Sequence, residues 1–207
     1  MMFHVLVEGS SDEPTVKEIL IRRFGLVHGS QFQIHPHGGK GKLPDDPNAA
    51  PSPTDRTLLA VLPATLRGYA VKGNSVCVIV LVDQDDDDCV QLLRDLNTML
   101  TSLNKRPANV LFRLAMEEIE AWFLADRKAV AAAYAKASFK GVPKTGIDLL
   151  DDPSDVLARC LGEPLPCTGQ MKAVWAEQIS PHLNLKKPKS PSLAKFIEGV
   201  GRHWQMA

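Results

Sequence analysis

The sequence lacks several features that would assign it to a functional class. No apolar run approaches the roughly 20 residues that a membrane helix needs. The N-terminal stretch MMFHVLVEGSSDE has neither a basic start nor a long apolar segment, so a signal peptide is not expected. The four cysteines lie far apart without C-x-x-C spacing. This spacing argues against a structural zinc site and favours reduced thiols in a cytoplasmic protein.

Net charge also gives no guidance about partners. The 24 Lys and Arg residues balance the 24 Asp and Glu residues. Any affinity for nucleic acid must therefore come from local clusters of basic side chains. No stretch resembles a recognition helix or an aromatic stacking ladder, so sequence-specific base readout is not predicted.

The patterns that are present predict an α/β fold. The chain has 207 residues, of which 44% are hydrophobic and 23% charged, enough for one domain with a real core. Apolar patterns predict strands at 3–7, 32–38, 75–83 and 108–115. Helices are predicted after each strand: one from Ser11 or Asp12 to Gly25, one at 57–71 that is kinked or interrupted at Pro63, one at 89–103 and one at 117–137.

This alternation is typical of a mainly parallel sheet with helices on both faces. Beyond about residue 138 the pattern changes, and short helices are predicted at 154–161, 169–178 and 191–204. We therefore expect an α/β core at 1–140 and a helical C-terminal extension packed on it at 141–207.

Acidic side chains follow three of the predicted strands, at the point where each strand ends. They are Glu8, Asp83, Asp85, Glu117, Glu118 and Glu120. The carboxyl ends of parallel strands lie on one edge of a sheet, where ligands of such folds bind. Converging carboxylates repel one another by several kcal/mol unless a cation compensates, and ligand sets of oxygen atoms suit Mg²⁺ or Mn²⁺. The pattern predicts a divalent metal site for phosphoryl chemistry.

The run VLVDQDDDDC holds three further aspartates, Asp86, Asp87 and Asp88, just before the helix predicted at 89–103. Negative charge at a helix start is favourable with the helix dipole, so capping or solvation is the favoured interpretation for these three. Asp87 or Asp88 remains a candidate for an extra metal ligand.

Several stretches together resemble a known family. They are VEGSSDEP (7–14), HPHGGKGKL (35–43), VDQDDDDC (82–89), EEIEAWFLAD (117–126) and ISPHLNLKKPKSPSLAKFIEGV (179–200). They resemble the Toprim-like family called domain of unknown function 4276 (DUF4276), over nearly the whole chain. Glu8 followed by the D-x-D of Asp83 and Asp85 is similar to the signature of the Toprim fold, found in topoisomerases, bacterial primases and the nucleases of the overcoming-lysogenization-defect (OLD) type. The resemblance implies a Rossmannoid core.

The same resemblance implies roles for individual residues. Glu8 would act as general acid/base or metal ligand, and Asp83 and Asp85 would hold the metal. Glu118 and Glu120 match the E-x-E-A-W part of the family pattern, and one of the two is favoured as a ligand of a second metal ion. Residues two apart on a helix point about 200° away from each other, so both reach one centre only if one precedes the helix. Trp122 and Phe123 are expected in the core beneath the site.

Basic residues form two further candidate groups. Lys40 and Lys42 lie in a glycine-rich loop that could approach a phosphate, although it is no Walker A motif, and loop lysines are commonly just solvated. The same loop follows His35 and His37. A proton shuttle at His37 is weighed against a structural hydrogen bond, which is favoured.

The second basic group is expected to track a nucleic-acid backbone. It consists of Lys172, Lys186, Lys187 and Lys189. The alternative is a solubilising connection or a docking face.

Two functions remain open. The first is Mg²⁺- or Mn²⁺-dependent phosphodiester hydrolysis, a nuclease with Glu8, Asp83, Asp85 and Lys40 as catalytic residues and, by analogy, a role in bacterial defence against phage. Strand passage is not expected, because Tyr69 and Tyr134 both lie in helical patterns. The second is a non-catalytic or conditionally active subunit of a complex with an ABC-type ATPase. The choice of DNA or RNA, endo- or exonucleolytic cutting and the oligomeric state stay open.

Overall fold

Four strands form one parallel sheet in the computed structural model, which describes residues 1–205. The strands are β1 (Met2–Val7), β2 (Phe32–Pro36), β3 (Val76–Asp83) and β4 (Val110–Ala115). Their spatial order is β2-β1-β3-β4, and every neighbouring pair runs parallel. The predicted α/β fold with a parallel sheet is confirmed.

The central strand β3 is buried on both faces, as its continuous apolar run predicts. Alternate side chains point to opposite sides of a strand, so they enter two separate cores. Cys77, Ile79 and Leu81 join the larger core, and Val78, Val80 and Val82 join the smaller one. Helices cover both faces of the sheet.

The helices follow the predicted order, with two differences. They are α1 (Glu13–Phe24), α2 (Leu58–Tyr69), α3 (Cys89–Ser102), α4 (Glu120–Ala125), α5 (Arg127–Ala133), α6 (Pro153–Leu161), α7 (Gly169–Ile179) and α8 (Pro191–Gln205), with 3₁₀ turns at Ala70–Ser75, Ile147–Leu149 and Ser180–His182. The boundaries of α3, α6, α7 and α8 agree with the predicted segments to within one residue. Among residues 1–205, none of these helices is long and apolar enough to cross a membrane.

The first difference is that α2 continues through Pro63, so the predicted interruption there is wrong. Proline removes one backbone donor, but the helix also gains from tertiary packing. Leu58, Leu59, Leu62 and Leu66 of α2 are all buried in the smaller core.

The second difference is that the single helix predicted at 117–137 is two short helices that meet at Asp126. Asp126 has a non-helical backbone (φ −105°, ψ 71°) and is buried. Its carboxylate accepts a hydrogen bond from the backbone N–H of Asn184 at 2.9 Å. This contact with the C-terminal segment breaks a helix that the local pattern alone favours.

The C-terminal helices share the larger core with the strands. Trp175 and Phe196 pack in the same cluster as Val5 and Ile79. The Arg22 guanidinium donates to the backbone carbonyls of Ser180 and Leu183, which ties α1 to the segment after α7. Residues on both sides of the proposed boundary at 140 therefore contribute to one core, and residues 206–207 of the proposed extension lie outside the described residues.

Candidate functional site

A cluster of acidic side chains, called the acidic pocket below, lies where β1 and β3 end side by side. Its members are Glu8, Asp12, Asp83, Asp85, Glu118 and Glu120, together with Lys40 and Lys172. Glu8 directly follows β1, and Asp83 is the last residue of β3. The backbone N–H of Asp83 donates to Glu8 Oε1 at 2.7 Å. The strand pairing thus brings together two residues 75 positions apart, as the strand-end argument anticipates.

A third carboxylate, Asp12, belongs to this pocket although the sequence interpretation assigned it only a capping role. Asp12 stands at the start of α1, but its side chain makes no capping hydrogen bond to that helix. Instead its two oxygens accept from the backbone N–H of Gly9 at 3.0 Å and from Ser11 Oγ at 3.3 Å. The spacing could have indicated this position, because an acid four residues beyond Glu8 can turn back toward the end of β1.

Burial raises the pKa of several of these carboxyl groups. It raises the pKa of Glu8 to about 7, and the nearby charges of Asp85 and Asp12 add to the effect. The pKa of half-buried Asp83 lies well above its ordinary value, through burial and then through the charges of Asp12, Glu8 and Glu120. Crowded, partly buried carboxyl groups hold protons in this way, which makes the pocket a candidate functional site.

Glu118 and Glu120 satisfy the geometric condition that the sequence set for them. Helix α4 begins at Glu120, so Glu118 precedes the helix, and both side chains turn toward Lys172 of α7. Glu118 is ion-paired with Lys172 through Oε1, and its Oε2 accepts from the backbone N–H of Ser154 at 3.0 Å. Glu120 Oε2 lies 3.9 Å from Lys172 Nζ. Glu120 is buried, and burial raises its pKa to about 7.

Lys172 therefore lies in the acidic pocket, paired with carboxylates, and its predicted contact with a nucleic-acid backbone stays a prediction. Burial alone would lower the pKa of Lys172, but the carboxylates of Glu120 and Glu118 raise it above the ordinary value. Lys186 and Lys187 are exposed, and their backbone N–H groups donate to Asn184 Oδ1.

Lys40 lies at the outer side of the pocket, on the loop between β2 and α2. Its Nζ donates to the carbonyl of Gln84 at 2.8 Å and pairs with Asp85 at 3.1 Å and Asp87 at 2.7 Å. Burial would lower the pKa of Lys40, but these two aspartates raise it. The other lysine of this loop, Lys42, is exposed and points away from these acids into a separate small hollow beside α2.

The three aspartates after Gln84 have different environments. Asp88 caps α3, because its Oδ1 accepts from the backbone N–H of Gln91 at 2.8 Å, as the favoured interpretation holds. This contact engages the carboxylate that was also a candidate metal ligand. Asp87 is paired with Lys40 rather than capping the helix, and Asp86 is exposed.

The remaining predictions concern supporting residues. Trp122 and Phe123 are fully buried, as expected of core residues beneath the site. His37 Nδ1 lies 3.0 Å from the carbonyl of Val7, the structural hydrogen bond that was favoured over a proton shuttle. Glu117 has a positive φ of 57°. Burial and the charges of Asp151, Asp86, Asp85 and Asp152 raise the pKa of Glu117.

The donor set of the pocket is chemically suited to a hard divalent cation, because its members offer only carboxylate oxygens. Within residues 1–205, however, no three acidic, histidine or cysteine side chains are arranged around one point as a ready-made cation site. Lys172 and Lys40 take up part of the negative charge instead. Asp85, Glu118 and Glu120 could ligate a cation only after Lys40 or Lys172 released them.

Comparison with known proteins places the chain in a family. No curated protein and no solved structure matched it. A family model described as "Domain of unknown function (DUF4276)" matches residues 7–201. This range includes every residue of the acidic pocket, from Glu8 to Lys172. The chain therefore belongs to the DUF4276 family.

Proposed function

We propose that the chain is a Mg²⁺- or Mn²⁺-dependent phosphodiesterase that hydrolyses nucleic acid. The observation that carries the proposal is the contact between Glu8 and Asp83 at adjoining strand ends, with the pKa of both groups raised. Buried acids with raised pKa values in a cleft are typical of catalytic sites. Asp12, Glu118 and Glu120 add three further acidic groups beside Glu8 and Asp83.

Glu8, Asp83 and Asp85 are the proposed metal ligands, with Glu118 or Glu120 as a further ligand. A bound divalent cation would lower the pKa of a coordinated water and offset the charge of the phosphodiester. If Glu8 does not itself ligate the metal, its carboxyl group, whose pKa burial raises to about 7, is suited to accept or donate a proton near neutral pH. Lys40 can turn from Asp85 toward a substrate phosphate and orient it.

The wider setting is part of the same proposal. A relation to the Toprim domains of OLD nucleases, a cytoplasmic role in phage defence and an ABC-type ATPase partner all rest on the sequence resemblance. The fold is consistent with them, since a parallel sheet with acids at its carboxyl edge is what a Toprim-like core requires.

A second candidate function is favoured by one specific observation. Lys172 and Lys40 already pair with Glu118, Asp85 and Asp87. A pocket whose negative charge is partly offset by its own lysines could belong to a non-catalytic subunit. It could also belong to a subunit that becomes active only when a partner displaces a lysine.

The first test is hydrolysis of single-stranded and duplex DNA and RNA with Mg²⁺ or Mn²⁺. We expect Asp83→Asn and Glu8→Gln to lower the rate about a hundredfold or more, roughly 3 kcal/mol in the barrier. Glu177→Gln, which changes an exposed acid on α7, is the matched control and should leave the rate unchanged. Activity that survives both pocket substitutions would rule the proposal out.

Calorimetry with Mn²⁺ separates the two candidates. If the chain is a metal-dependent enzyme, the wild type should show a heat of Mn²⁺ binding, and Asp83→Asn should abolish it. A wild type that binds no Mn²⁺ would favour the non-catalytic subunit.

A further inference from the structure

A groove lies beside the acidic pocket, along the open edge of β4. Its volume is about 1020 Å³, and it is bounded by α3, α8 and residues 144–149. Cys89 and Met116 line it. Met116 directly precedes Glu117, and Cys89 directly follows the acidic run, so the groove begins where the acidic edge of the sheet ends. A volume of this size is ample for a small ligand or a few units of a polymer.

The floor of the groove is apolar. It is formed by Leu93, Phe112, Leu114 and Met116, and Leu149 lies at the rim. Phe112 and Leu114 are nearly buried, whereas Leu149 is 79% exposed.

Three lysines line the same groove: Lys144, Lys189 and Lys195. All three are exposed, and within the described residues none has a carboxylate oxygen within 4.0 Å. They differ in this respect from Lys40 and Lys172, which are paired with acids. An apolar floor with unpaired cations along its rim fits a ligand that is anionic on one side and apolar on the other.

The edge of the sheet at this groove is closed to a further strand. The guanidinium of Arg113 donates to the carbonyl of Phe112 through Nη1 at 2.7 Å and to the carbonyl of Lys195 through Nε at 2.9 Å. It lies against Gly199 of α8, where an added Cβ would stand 2.4 Å from Nη2. A peptide that added to β4 would have to displace this side chain, so strand addition does not suit this edge.

One buried acceptor at the groove has no donor. Asp148 lines the groove and is 6% exposed. Its Oδ2 accepts from the backbone N–H of Ser192 at 2.7 Å, whereas Oδ1 has no hydrogen-bond partner within the described residues. Buried polar atoms are normally paired, and a donor could reach this oxygen only through a small shift of the groove wall, because the atom has almost no accessible surface.

We propose that this groove binds a single strand of nucleic acid, with bases on the apolar floor and phosphates near Lys144, Lys189 and Lys195. The inference rests on the proposed function, because the strand would run from the groove to the acidic pocket. A single strand combines the apolar faces of its bases with a negatively charged backbone, which matches the apolar floor and the three unpaired lysines. A duplex stacks the faces of its bases against one another and uses their Watson–Crick edges in pairing, so the groove favours single strands.

Fluorescence anisotropy with labelled 12-nucleotide DNA and RNA strands, in EDTA, tests binding apart from hydrolysis. We expect the Lys189→Glu/Lys195→Glu double variant to bind at least about tenfold more weakly than the wild type. Its log–log salt dependence should be shallower by about 1.4, the value for two lost lysine contacts to a single strand. The control is Lys72→Glu/Lys105→Glu. It reverses the charge of two exposed lysines that precede β3 and β4, at the amino ends of these strands.

The outcomes are distinguishable from those of the hydrolysis test. Binding that Asp83→Asn retains and the groove variant loses supports the groove, even if the wild type cleaves nothing. Equal weakening by the groove and control variants would overturn it, as would equal affinity for duplex and single strand. Displacement of the strand by millimolar AMP or UMP at the groove would instead assign the site to free nucleotides.

Discussion

The acidic pocket lies at the carboxyl ends of the strands, and the groove lies next to it along the open side of β4. Their lysines differ in whether they have an acidic partner. In the pocket, Lys172 and Lys40 are bound to carboxylates. In the groove, Lys189 and Lys195 have no acidic partner within the described residues. Lysine is thus paired with acids in the pocket and unpaired in the groove.

Exposure to water explains the difference. Charges taken out of water need a partner, because unpaired burial costs several kcal/mol. Exposed lysines are hydrated and need none. Lysines in the pocket therefore contribute to folding stability, whereas lysines in the groove are available to a ligand.

The largest difference should appear when one lysine of each region loses its charge. Lys172→Met leaves Glu118 and Glu120 without a cation, and we expect it to lower the free energy of unfolding by about 2–3 kcal/mol, a fall in Tm of roughly 5–10 °C. Lys189→Met should change stability by no more than about 0.5 kcal/mol. Denaturant unfolding of both variants measures this, and equal effects would remove the distinction between the regions.

A smaller effect is expected from pH. The folded pKa of Glu8 and Glu120 is about 7, above the ordinary value of 4.5, so the folded chain keeps protons that the unfolded chain has released. This contribution to stability is fully present below pH 4.5 and is lost as the pH rises through about 7.

Glu120→Gln isolates this dependence, because glutamine cannot ionise. Between pH 5 and pH 8 the variant should gain about 1–3 kcal/mol relative to the wild type. Glu177→Gln, at an exposed position, should track the wild type. A constant difference between Glu120→Gln and wild type across this range would show that Glu120 titrates normally.

The smallest effect concerns the wall that α8 provides for the groove. Alanine at Gly199 would push a Cβ into the Arg113 guanidinium, whereas at Gly201 its nearest neighbour is a ring carbon of Phe24 at 3.5 Å. Both changes gain up to about 1 kcal/mol of helix propensity. We expect Gly199→Ala to be less stable than Gly201→Ala by about 1 kcal/mol, measured by thermal unfolding. Equal stabilisation would mean that Arg113 shifts freely.

The sequence predicted most of the fold because local patterns decide most of it. The apolar run of β3 and the helical spacing of α8 depend on neighbours along the chain. The break at Asp126 could not be read in this way, since its cause is a hydrogen bond to Asn184, which is 58 positions away. Passage of α2 through Pro63 likewise depends on packing against the sheet.

The site could be predicted only in part for a related reason. Strand ends locate Glu8 and Asp83, because parallel topology fixes where strands finish. Asp12 was missed because its position resembles a helix cap, and only the fold turns its side chain back to Gly9. The ion pair between Lys172 and Glu118 was not foreseen, because the packing of α7 and not the local sequence brings the two side chains together.

Two rim residues of the acidic edge, Asp85 and Glu117, have left-handed backbones with φ of 49° and 57°. Their segments are joined, because the N–H of Asp85 donates to the carbonyl of Glu117 at 3.2 Å. Left-handed backbone outside glycine raises the conformational energy by about 1–3 kcal/mol per residue, less for Asp. Glycine would adopt both conformations without strain. The rim is therefore a place where this chain is less stable than it could be, and a variant selected for heat resistance alone would lose its carboxylates there first.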